Sequence, residues 1–217
     1  MKSLLFAGLA AATVVSGTAT ADIAVGDTLT VSRLGTTPGR AIRYNYDASR
    51  MWDAGPTGSN LFGLAGINTF AVQGGGAFRS FCVEMNEGFV DDPIVYTVTE
   101  LADVPEEQGN PGMTMAQQTL MKDLYARYYE MATNYPGTPF NQASDNAAAF
   151  QLLVWEISHE NFTSDTDASI ALGEIDLSVG AMAFTDTYST DVADIAQAMI
   201  DDLGKGGFMN YLSLIHI

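Results

Sequence analysis

The chain is short of cysteine, histidine and basic residues, and each shortage closes off a class of function. Its lone cysteine, Cys82, cannot form an internal disulfide, and with only two histidines it cannot assemble a structural zinc site, so no metal is expected. Against 26 Asp and Glu there are only 9 Lys and Arg, a formal charge of −17, which leaves no basic face for nucleic acid or anionic lipid. The acidic surplus reads as a solvated surface, with calcium binding as the sharper alternative, for which no run matches the spaced Asp/Asn-Gly loop of calcium motifs. Gly74-Gly75-Gly76 is followed by neither a helix start nor a P-loop lysine, so it reads as a hairpin turn, and no cofactor is expected.

The one apolar run of note is at the start. Lys2 supplies a positive charge, Leu4 to Val15 is apolar, and Ala19-Thr20-Ala21 fits a small-residue cleavage site. Residues 1–21 are therefore expected to be a signal peptide, the mature chain to begin near Asp22 and to carry no membrane span, and the protein to be secreted or held at the cell surface. At the other end, Leu212 to Ile217 reads Leu-Ser-Leu-Ile-His-Ile, which matches the translation of a sequencing adaptor. Residues 206–217 are accordingly read as a truncated end, with 212–217 foreign to it, and His216 is set aside.

Between these ends, residues 22–205 read as a single domain long enough to bury a core. Thr28–Val31, Ala41–Tyr46, Ile67–Val72, Phe78–Val83 and Ile94–Thr99 are short β-branched or aromatic runs separated by Gly, Pro, Asn or Asp, and predict strands. The period then changes. Leu120, Leu124, Tyr128 and Met131 predict a helix over 114–133, Ser144 or Asp145 is a candidate N-cap for a second helix ending near His159, and Asp191 to Leu203 predicts a third, closed by Gly204. Strands first and helices later predict an α+β fold: an antiparallel β-sandwich or barrel-like half followed by a small helical subdomain.

An exported chain with a single cysteine invites the question of what the thiol does. Cys82 lies in Phe81-Cys82-Val83-Glu84, where strand alternation places it on the face opposite Phe81 and Val83. Far downstream, Phe150, Leu153, Val154 and Ile157 form the apolar face of the second helix, with Gln151 on its flank beside Trp155 and Ser158. The aromatic-Cys-aliphatic-acid run and the later Phe150-Gln151-Leu152-Leu153-Val154-Trp155 run resemble the two motifs of the bacterial surface thioester domains. These include domains found in exported proteins with Pro-Glu-Pro type sorting tails. The likeness spans roughly 81–162, with Val95–Val98 and Leu124–Tyr129 similar to the connecting strand and helix; Leu152 departs from the small or polar residue common there.

That resemblance implies a bond between Cys82 and Gln151, with Phe81, Glu84, Phe150 and Trp155 as its supporting shell. It implies covalent attachment, once per molecule, to an amine-bearing surface protein or polymer, which is adhesion and not enzymatic turnover. Two other readings of the residues stay open. Cys82 would be an inert buried thiol in a non-reactive extracellular structural or matrix protein, with Gln151 a helix-surface amide and Glu84 and Glu156 solvated or bonded to nearby backbone. Alternatively, Cys82 would be the nucleophile and His159 the base of a cysteine hydrolase, although a surface His at a helix end, stabilised by the helix dipole, is commonplace.

Overall fold

A computed structural model describes residues 6–7, 24–47, 58–83, 93–104, 112–186 and 190–210. Most of the leader segment, Glu84 and the adaptor-like residues 212–217 lie outside the described residues. The elements in chain order are β1 (Phe6–Ala7), β2 (Thr28–Tyr46), β3 (Gly58–Val72), β4 (Ala77–Cys82), β5 (Ile94–Thr97), a 3₁₀ turn (Leu101–Asp103), α1 (Met115–Thr133), α2 (Phe140–His159), α3 (Ala168–Leu172), β6 (Met182–Asp186) and α4 (Thr190–Asp202). The fold is α+β, an antiparallel sheet with the helical part following it.

β2 organises the sheet. It runs 19 residues, pairing along one side with β3 and along the other with β5 at its start (Val31 opposite Ile94) and β6 at its end (Tyr46 opposite Met182). The two strands expected at 28–31 and 41–46 are parts of this one strand. Gly35 and Pro38-Gly39, which interrupt the sequence pattern, are absorbed by register shifts between Arg33 and Gly35 and between Thr36 and Gly39. The two strands pinch together there: a side chain on Gly39 would meet Ala65 O at 2.6 Å, and one on Gly66 would collide with Pro38 O. The β3–β4 turn is the Gly74–Gly76 hairpin, with Gly75 N–H donating to Val72 O at 3.1 Å.

The helices pack on the late half of β2 and on β3 and β4. Ile42, Tyr46, Ala65, Ile67 and Phe81 form one core with α1, α2 and α4, whereas Val31, Phe70, Phe78, Tyr96 and Val98 form a small second cluster toward the other end. α1 starts at a capping box, Thr114 Oγ1 accepting from Gln117 N–H and Gln117 Oε1 from Thr114 N–H. α2 differs from expectation. It begins at Phe140, a turn before Ser144 and Asp145, which lie inside it and do not cap it. Asp145 instead pairs with Arg40 of β2, whose Nε donates to Oδ1 at 2.6 Å, so a residue that resembles a cap is an anchor between helix and sheet. From Ala143 to His159 every residue of α2 is buried, as befits a helix covered by α1, α4 and the sheet.

Candidate functional site

Cys82 is the last residue of β4, and the hydrogen-bond ladder of that strand determines where its backbone groups point. In an antiparallel pair, residues that exchange both hydrogen bonds recur every second position. Val72 N–H donates to Gly76 O at 3.1 Å, so the exchanging pairs continue as Phe70 with Phe78 and Asn68 with Ser80, and the next would be Gly66 with Cys82. The ladder stops at Asn68–Ser80, because Gly66 has turned to pack against Gly39. The N–H and C=O of Cys82 are thus aimed at a place where β3 offers neither acceptor nor donor.

Gln151 of α2 fills that place. Cys82 N–H donates to Gln151 Oε1 at 2.8 Å, and Gln151 Nε2–H donates to Cys82 O at 2.6 Å, across 69 residues of chain. The amide stands in for the peptide group that Gly66 would have supplied. Gln151 is 1% exposed and Cys82 8%, so the amide is in the core and not on a helix surface, and the thiol is just short of full burial. Phe81, Cys82 and Val83 all join the same core, so the face that Cys82 occupies is buried and not open to solvent.

The expected shell is partly assembled. Phe81 and Phe150 are in tilted ring contact at 4.4 Å, and Tyr125 and Tyr129 of α1 close over Phe150 edge to face. Trp155 is buried one helical turn beyond Gln151, and its Nε1–H has no hydrogen-bond partner among the described residues. Tyr44 of β2 is a member that no sequence pattern marks. It shares the core with Cys82, and burial first, with the charge of Cys82 second, pushes its phenol up.

Other expectations change. Glu156 is not solvated: it is completely buried, Oε1 accepts a long hydrogen bond from Asp176 N–H at 3.4 Å, and Oε2 has no partner among the described residues. Desolvation, with repulsion from Glu160, pushes its carboxyl well above the usual range. His159 is likewise buried, not a surface residue at a helix end, with Nδ1 2.8 Å from Ser158 Oγ and 3.0 Å from Trp155 O. It follows Gln151 by eight positions on a straight run of helix, a rise of about 12 Å. Cys82 thus contacts α2 about two turns before His159, and no hydrogen bond between the thiol and the imidazole occurs among those described.

Chemically, the site holds a thiol and a carboxamide on residues bonded to each other, in surroundings made mostly of aromatic and aliphatic groups. No metal-binding cluster of His, Cys, Asp or Glu occurs among the described residues, and no described helix is long and apolar enough to cross a membrane. Comparison of the chain with protein-family models, with curated proteins and with solved structures gives no match.

Proposed function

We propose that Cys82 and Gln151 form an internal thioester, and that the protein uses it to attach itself covalently, once, to an amine on a partner surface. The observation that carries this reading is the pair of hydrogen bonds that hold the Gln151 amide against Cys82. Attack of Sγ on the amide carbon forms the S–C bond and breaks the C–N bond, and ammonia leaves with the thiol proton. The acyl-sulfur bond is far more electrophilic than the amide it replaces, and the packing of Phe81, Phe150 and Trp155 would keep water from it. A lysine amine then takes the acyl group, leaving an isopeptide-type link from Gln151 and releasing Cys82 as a thiol. Secretion or surface display of such an adhesin follows from the leader-like start of the sequence.

A second reading is favoured by the same two bonds. They satisfy both polar ends of the amide and both backbone groups of Cys82, so the contact also suffices as a structural tie in a matrix protein whose thiol never reacts. Intact mass separates the two. The purified protein is expected to weigh one ammonia less than its sequence requires, methylamine should add across the bond, and Cys82→Ala and Gln151→Ala should each abolish the deficit. Full sequence mass with a titratable thiol before any nucleophile is added would leave the structural tie as the answer.

A further inference from the structure

The buried N–H of Trp155 has no hydrogen-bond partner among the described residues, and Trp155 lies one helical turn from the group that would react. Trp155 follows Gln151 by four positions on α2, so the two side chains share a face, and a helical side chain leans over the turn that precedes it. The indole therefore covers the turn that carries Gln151. A buried N–H with no acceptor costs about 1–3 kcal/mol, and such a group in a folded protein calls for an explanation. Gln151 Oε1 already accepts from Cys82 N–H, while a carbonyl oxygen has room for a second donor.

We propose that Trp155 Nε1–H is the second donor to the Gln151 acyl oxygen, engaged when that oxygen takes on negative charge; this rests on the thioester reading. As Sγ adds to the amide carbon, the carbonyl π electrons move onto Oε1; when they return, the C–N bond breaks and ammonia carries off the thiol proton. In the later attachment step an amine adds to the same carbon, the same oxygen becomes anionic, and sulfur departs with the proton of the amine. Trp155 serves both steps from one position. The two donors differ in kind: the Cys82 N–H is bonded before reaction and chiefly positions the amide, whereas the Trp155 N–H gains its partner only in the transition state, which is the kind of interaction that raises a rate.

The test keeps the shape of the side chain and removes only the hydrogen. In a Trp52→Phe background, which leaves Trp155 as the lone tryptophan, Trp155 is replaced biosynthetically by β-(3-benzothienyl)alanine, whose ring carries sulfur in place of N–H. Trp155→Phe is the simpler companion variant. The rate at which the ammonia deficit appears on refolding, and the rate at which methylamine then consumes the thioester, are both expected to fall about 100-fold, with circular dichroism and thermal midpoint nearly unchanged. Equal rates in the tryptophan and benzothienyl proteins would overturn the assignment and leave Trp155 a packing residue. Absence of a mass deficit in the tryptophan protein itself would instead overturn the thioester, and the role of Trp155 with it.

Discussion

Two polar ties hold helices of this protein to distant backbone, and they are built on opposite principles. Asp123 of α1 is completely buried; Oδ2 accepts from Gly204 N–H at 2.7 Å, and Oδ1 from Met209 N–H at 2.7 Å and from Arg127 Nε at 2.9 Å. Arg127 also donates to the carbonyls of Lys205 and Gly207, so carboxylate and guanidinium together bind the 204–209 segment from both its donors and its acceptors. Both charges of that node are matched. At Cys82 and Gln151 the tie is neutral, and two groups that the tie itself does not require accompany it: the Cys82 thiol and, one helical turn from Gln151, the Trp155 N–H, which has no acceptor among the described residues. A complete node is sufficiently explained by stability. One with reactive groups standing beside it asks for chemistry.

Removing each centre in turn separates the two kinds of tie. Asp123→Ala takes the nearer of two carboxylates from the partly buried Arg127, leaving Asp202 at 3.5 Å, and leaves two backbone donors without that acceptor; it should lower the unfolding free energy by about 3–5 kcal/mol in urea titration. Gln151→Ala removes both hydrogen bonds that the amide makes with the Cys82 backbone and should cost about 2–4 kcal/mol. Cys82→Ala keeps both backbone bonds and should cost only about 1 kcal/mol. A smaller loss from Gln151→Ala than from Cys82→Ala would mean that the amide is not a structural tie at all.

Glu156 refines the comparison with the smallest effect, since it is a buried carboxyl with one long hydrogen bond and no cation beside it among the described residues. Burial first and the charge of Glu160 second favour its neutral form; the Asp176 backbone N–H works against them, and the Asp176 carboxylate with them. Its folded pKa is raised above the ordinary value of 4.5, so its contribution to stability is complete below about 4.5 and is lost as pH rises toward the folded pKa. Glu156→Gln should flatten that decline and raise the thermal midpoint at neutral pH by about 2–4 °C for each kcal/mol recovered. A midpoint that falls, with the pH slope intact, would show that the carboxyl is ionised in the fold and stabilised as the anion.

The sequence made α1 and α4 readable, misplaced the start of α2, gave no sign of α3, and left much of the sheet unreadable, for physical reasons. The span of α1 follows from Thr114 and the spacing of Leu120 and Leu124, both local signals. β2 hides its continuity because Gly35 and Pro38-Gly39 look like turns, and only the unbroken partner β3 shows that they are bulges. The first half of β3 lacks a polar alternation, since Phe62 and Leu64 are exposed apolar residues, and β6 is defined by pairing with a strand that ended far earlier in the chain. At the site, Cys82 and Gln151 could be joined on paper only through a family resemblance. Periodicity placed Gln151 on a flank, whereas its burial depends on β3 leaving the ladder. Tyr44 and the indole N–H of Trp155 have no local signature, because the role of each is defined by what surrounds it in three dimensions.

Gly66 carries a consequence of another sort. Where β3 meets β2, it yields its ladder position opposite Cys82 to pack against the backbone of Pro38 and Gly39. The opening that admits the Gln151 amide is therefore created neither by the cysteine nor by the glutamine. It is set by two glycines on neighbouring strands, so the pair can be transplanted to another scaffold only together with that pinch.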